Sequence, residues 1–161
     1  LGDVFFYHLT ERKLDAVLPP LLARSLAQGW RVELRGRDAA RMAALDIALW
    51  RGEGFVPHGV AGGPHDGLQP VLLTTAPAGA GFACVMAVDG ADLDPAEMAG
   101  IARGCILFDG TDPAAVEAAR GQWRALTGAG VGAKYWAEAD GRWEMKMERP
   151  AATPAPSSGH R

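Results

Sequence analysis

The side chains able to do chemistry in this chain are few and scattered. The histidines His8, His58, His65 and His160 stand far apart. His58 and His65 share a Gly/Pro-rich stretch with Asp66, the best metal-ligating group the sequence offers, but no Cys/His pair has zinc-ligand spacing. Asp89, Asp92 and Asp94 form a small acidic cluster that could hold a divalent cation. Aspartates so placed more often make turns and cap helices. Cys84 and Cys105 lie inside apolar runs, where distant thiols read as small core side chains in a reducing compartment. There is no G-x-S-x-G elbow and no Walker A pattern.

The chemistry that remains is recognition. Arg120 and Arg124 are one helical turn apart and so share a face, with Trp123 beside them. Earlier in the chain, Trp50-Arg51 closes an amphipathic run and Phe55-Val56-Pro57-His58 follows almost at once. Each group alone reads blandly: Trp50 as partly core, the arginines as a solvated face. Together they suit a short acidic-hydrophobic peptide, with rings taking its apolar end and guanidinium groups its carboxylates.

The elements that must position these groups alternate along the chain. Asp3–Leu9 is aromatic and β-branched, a first strand. Lys13–Gln28 has helical spacing of Leu14, Val17, Leu18, Leu21, Leu22 and Leu26. Pro19 and Pro20 fit best near its first turns, and Gly29 ends it. Trp30–Leu34 is a second strand, and Asp38 caps a helix running to Trp50. From Arg51 to about Pro70 the composition is that of a loop. Val71–Thr75, Phe82–Val88 and Cys105–Phe108 are buried strands, with a short helix at Pro95–Ile101. Asp112-Pro113 opens a helix to about Thr127. Lys134–Met147 forms one or two strands around an Asp140-Gly141 turn. Residues 149–161, small and Pro/Ser-rich, are expected to be a disordered tail after a single domain of residues 1–148.

Buried apolar strands alternating with amphipathic helices imply a Rossmann-like α/β fold, a doubly wound, mostly parallel sheet with helices on both faces. Such folds hold nucleotides on a Gly-rich turn between the first strand and its helix. Here that turn is His8-Leu9-Thr10-Glu11-Arg12-Lys13, without glycine, so there is no nucleotide-binding Gly-rich loop. The glycines Gly128, Gly130 and Gly132 follow a helix and precede a strand, where they present carbonyls rather than amides. With 16 Lys+Arg against 19 Asp+Glu and a net charge of −3, the chain lacks the basic excess of a duplex binder. No apolar run reaches the about 20 residues needed to span a bilayer, and the opening LGDVFFYHL is not that of a signal peptide.

Several blocks, in order, resemble the chi subunit family of bacterial DNA polymerase III from about Val4 to Trp143. They are Phe6-Tyr7-His8-Leu9; Ala44 to Trp50 followed by Phe55-Val56-Pro57-His58; Gln69-Pro70-Val71-Leu72-Leu73; and Ala119-Arg120 with Trp123-Arg124 and Gly130. The resemblance implies a non-catalytic, cytoplasmic adaptor without cofactor. It would link the clamp-loader complex to single-stranded-DNA-binding protein (SSB) by gripping the acidic, Pro-Phe-ending tail of that protein. Trp50 and Phe55 would frame a pocket for the terminal Phe, and Arg120 would meet a carboxylate of the tail. The family pattern has a Lys one turn before that Arg; here the position is Val116, and Arg124 or Arg51 would compensate. Further implied partners are the psi subunit and a repair helicase, with DNA reached only indirectly, no membrane, and a monomer on its own. Two other readings stay open: a nucleotide or metal-dependent hydrolase using the Asp89/Asp92/Asp94 turn, and direct single-stranded DNA binding by the Trp and Arg groups, against which the net charge weighs.

Overall fold

In a computed structural model of the chain, residues 2–51, 58–63 and 66–152 are described. The strands are β1 (Asp3–Leu9), β2 (Val32–Arg35), β3 (His58–Val60), β4 (Val71–Thr74), β5 (Cys84–Ala87), β6 (Arg103–Asp109), β7 (Ala133–Ala139) and β8 (Arg142–Arg149). They form one sheet in the order β3-β4-β2-β5-β6-β1-β7-β8. All neighbours are parallel except β7 and β8, which are antiparallel. The helices are α1 (Leu14–Ala27), α2 (Ala39–Arg51) and α3 (Pro113–Gly128), with 3-10 segments at Asp66–Leu68 and Pro95–Gly100. This is the expected doubly wound, Rossmann-like arrangement.

The direction of each crossover decides which face its helix covers. From β1 the chain moves through α1 to β2, towards the β3 edge; from β6 it moves through α3 to β7, towards the β8 edge. Right-handed crossovers in opposite directions put their helices on opposite faces. The side chains confirm it. Tyr7 and Leu9 of β1 join Leu18, Leu22, Leu45 and Leu49 of α1 and α2 in one core cluster. Val4 and Phe6 of the same strand join Ala119 and Leu126 of α3 and Met98 of the second 3-10 segment in the other.

Local details follow the residue types. Pro19 and Pro20 lie well inside α1 rather than in its first turns. The carbonyls they leave without donors belong to Asp15 and Ala16, both exposed, where water can satisfy them. Asp38 accepts from Arg41 N–H at 2.9 Å, and Asp112 from Ala114 N–H at 3.0 Å with Pro113 at the first helical position. The β7–β8 hairpin turns on Asp140 and Gly141, at φ 50° and 75°, the left-handed pair that a two-residue hairpin requires. Cys84 and Cys105 are free and buried. The glycine carbonyls after α3 serve the sheet: Gly132 O accepts from Val4 N–H and Gly130 O from Ala152 N–H.

One polar network is built into the sheet on the side away from α1 and α2. Glu33 and Arg35 of β2 point to the α3 side, beneath the loop after β4 and the second 3-10 segment. The Glu33 carboxylate accepts from Arg35 Nε (2.8 Å), Thr74 Oγ1 (2.8 Å) and Ala78 N–H (3.2 Å). Arg35 Nη1 reaches Glu97 at 2.9 Å and Asp92 O at 3.0 Å. Burial opposes the arginine's charge, but the Glu33 and Glu97 carboxylates outweigh it and raise its pKa. The paired charges stand in for an apolar layer, which is tolerable because their hydrogen-bonding groups find partners.

Candidate functional site

In a doubly wound sheet the natural ligand crevice lies beyond the C-terminal strand ends, where the crossover direction reverses. Here that is between β6 and β1, and a cavity of about 810 Å³ opens there, lined in part by Arg12, Lys13, Arg37, Arg41, Asp89 and Asp112. The backbone amides that would hold a phosphate are engaged by the chain's own carboxylates. Glu138, reaching from β7, accepts at Oε1 from the N–H groups of Thr10, Glu11 and Arg12 (3.2, 3.4 and 3.3 Å). Its Oε2 accepts from Arg12 Nε at 2.8 Å. Burial alone would push the Glu138 carboxyl up, but Arg12 and the three N–H groups hold it below the usual range. Asp112 occupies the start of α3 in the same way.

The acidic turn after β5 has structural work. Asp89 pairs with Arg41 at 3.0 Å, Asp94 caps the 3-10 segment through Ala96 N–H, and Asp92 offers its carbonyl to Arg35. Among the described residues no three or more His, Cys, Asp or Glu side chains converge as metal ligands do. His65 and His160 lie outside the described residues. His58 is buried, with Nε2 3.1 Å from both the carbonyl and the carboxylate of Asp46, so it ties β3 to α2.

On the outer surface of α3, Arg120 and Arg124 stand side by side, each 67% exposed. The carboxylate near them is Glu117, at 3.8 and 3.5 Å. Exposed pairs of that length add little energy and leave the guanidinium groups free to exchange partners. Beneath this edge of α3 lies an aromatic floor. Trp123 packs edge-on against Phe6 (5.2 Å between centroids) and Tyr135 (6.0 Å). Tyr135 shares a 2.6 Å hydrogen bond with His8 Nδ1, and His8 lies 5.0 Å from Phe108. Burial raises the Tyr135 phenol pKa while the Arg120 charge opposes that rise. Gly110 closes the floor's end: a Cβ there would collide with the His8 ring.

Val116, one turn before Arg120, is partly buried and packs on the α3-side core. The helix therefore spends on packing the position where the sequence resemblance implies a cation.

Trp50 and Arg51 are elsewhere. Trp50 is 51% exposed at the end of α2, its ring 4.3 Å from that of His58. This is the α1/α2 face near β3, whereas α3 covers the opposite face at β6 and β7. β3 and β6 are four strand positions apart, about 19 Å at the usual strand spacing, before the thickness of the sheet is added. The structure thus brings Arg120 and Arg124 together, and Trp50 and Arg51 together, but not the two groups into one pocket. Phe55 lies outside the described residues. The rings that extend the floor from Trp123, Tyr135 and His8, were not singled out in the sequence as part of this site. Their signal was strand alternation: each lies two residues beyond an α3-side core residue, Ala133 and Phe6.

Among the described residues no helix is long and apolar enough to cross a membrane. A family model described as "DNA polymerase III chi subunit, HolC" matches residues 1–134. No curated protein matches the chain. Among solved structures, the C-terminal domain of a possible DNA helicase from Lactobacillus plantarum WCFS1 is similar to 68% of this chain over 74% of its own, at 16% identity and a TM-score of 0.46.

Proposed function

The chain belongs to the DNA polymerase III chi subunit family, and on that premise we propose that this replication accessory subunit grips the acidic C-terminal tail of SSB on the outer edge of α3. The observation that carries the reading is the exposed Arg120/Arg124 pair above the Trp123–Tyr135–His8 floor. The guanidinium groups suit the tail's carboxylates, and the rings suit its terminal Phe. No bond is made or broken in this role, and the protein works in the cytoplasm as an adaptor without cofactor.

An adaptor needs a second, separate surface. Ile47 and Trp50 of α2 and Val60 of β3 are large exposed apolar side chains on the opposite side of the molecule, with Arg51 beside them. We assign this surface to the clamp-loader side, where psi, or a repair helicase in its place, would dock.

The test is titration of a synthetic acidic peptide ending in Pro-Phe, followed by anisotropy at low salt. One anchor and two charge-assisted contacts should give a micromolar Kd, about −8 kcal/mol. Arg120→Ala should weaken binding about tenfold, the loss expected for one hydrogen bond to a charged group. Removing the terminal Phe should weaken it at least as much. Unchanged affinity in an Arg120→Ala/Arg124→Ala double variant would sink the assignment to α3.

A further inference from the structure

A second aromatic and cationic site lies on the other face of the sheet, apart from α3 and from Trp50. On that face α1 packs on β2 and β6 and α2 on β3 and β4, while Trp136 of β7 and Trp143 of β8 are only partly buried. At the margin of α1 a hollow of about 350 Å³ opens, walled by Trp30, Trp136 and Trp143 with Phe5 and Tyr7. The charged residues among its lining are Arg24 and Arg103, and no carboxylate is among them. The Arg103 guanidinium lies 4.1 Å over Phe5 and 5.0 Å over Trp30, and Lys134 sits at the rim, 5.4 Å from Phe5. None of these three cations is in an ion pair among the described residues. In a chain of net charge −3, this is a local excess of positive charge around an apolar cavity. Trp136 adds a second sign: its Nε1 is the one buried side-chain polar atom among the described residues without a hydrogen-bond partner. A donor so placed is costly unless something supplies an acceptor.

We propose that this hollow docks an acidic peptide segment of a partner protein. One large apolar side chain of the segment fills the space between the tryptophans. Flanking carboxylates meet Arg24, Arg103 and Lys134, and a small shift on binding brings an acceptor to the Trp136 N–H. Charge complementarity selects an anionic partner, and the shape selects a peptide over single-stranded nucleic acid. Sequence-tolerant strand binding needs open ring faces for base stacking. Here the large aromatics are partly or fully buried and turned against one another or against cations: Tyr7 packs edge-on to Trp143 at 5.0 Å, and Arg12 lies over its ring at 5.7 Å. They wall a socket instead of forming a platform. The proposal stands independently of the tail site on α3.

The experiment uses the full chain and its five tryptophans as reporters. Indole ¹H–¹⁵N resonances are assigned by single Trp→Phe variants. They are then followed against a short amidated peptide carrying one phenylalanine among aspartates, and against oligothymidylate. The expected result is saturable shifts of Trp30, Trp136 and Trp143 with the peptide, the Trp136 N–H moving most, and none with oligothymidylate. Arg24→Glu, an exposed substitution in the last turn of α1, should weaken the peptide about tenfold, as one charge-assisted contact predicts. Three indoles that do not move with the peptide, that move equally with oligothymidylate, or that titrate with unchanged affinity in Arg24→Glu each overturn the proposal. A tail peptide that leaves Trp123 unmoved counts against the α3 site alone.

Discussion

At the scale of single residues, the most informative position in the proposed tail site is an apolar one. Val116 buries part of its side chain on the α3-side core, so the helix has packing where the resemblance implies a cation. Because the site is only half-buried, the exchange can be reversed. A lysine at that position can lay its methylenes along the same apolar surface and carry its ammonium out to solvent. Val116→Lys is therefore expected to raise affinity for the acidic tail peptide up to about fivefold at low salt, the effect of one exposed ion pair. The gain should vanish at high ionic strength, where such charges are screened. Anisotropy titrations at two salt concentrations check this. An affinity unchanged at low salt would place the peptide's carboxylates away from this turn of α3.

At the scale of elements, Glu138 joins pieces of chain more than a hundred residues apart, tying β7 to the loop before α1. Its carboxyl is held below the ordinary 4.5, so over the intervening pH range the unfolded chain binds more protons there than the folded one. Its stabilisation is thus fully present above the unfolded value and is lost as pH falls through the lowered folded value. Glu138→Gln should cost about 2 kcal/mol near neutrality, the range for hydrogen bonds to a charged group with a partly exposed partner. That deficit should shrink in acid, and urea unfolding at neutral and acidic pH measures both limits. No local pattern marks Glu138 for this task, because its partners lie at the other end of the chain. By contrast, β1, α2 and the α3 start were legible from alternation, helical spacing and the Asp112-Pro113 pair, and the β7–β8 hairpin from Asp140-Gly141. β3 was missed because its three residues sit in a Gly/Pro-rich stretch, and it is a strand only because β4 offers it an edge.

At the scale of the whole molecule, what the motifs could not reveal was which groups share a face. Trp50 and Arg120 both lie in helices that follow strands, and nothing near either residue states that the crossovers run in opposite directions. The sheet order states it: α2 sits with α1, and α3 lies on the reverse side with the second 3-10 segment. The two proposed docking surfaces gain from this separation, since occupants on opposite faces do not collide. Sites that share no side chains and lie about 19 Å or more apart should behave additively. Trp50→Ala is thus expected to leave affinity for the tail peptide within about twofold of wild type, inside the additivity error for distant sites. Arg120→Ala should weaken the peptide to the same degree in wild-type and Trp50→Ala backgrounds. The double-mutant cycle decides between one pocket and two surfaces. A coupling of 1 kcal/mol or so between Trp50 and Arg120, the size seen for residues in contact, would mean that the peptide spans both faces and that the two-surface adaptor is wrong.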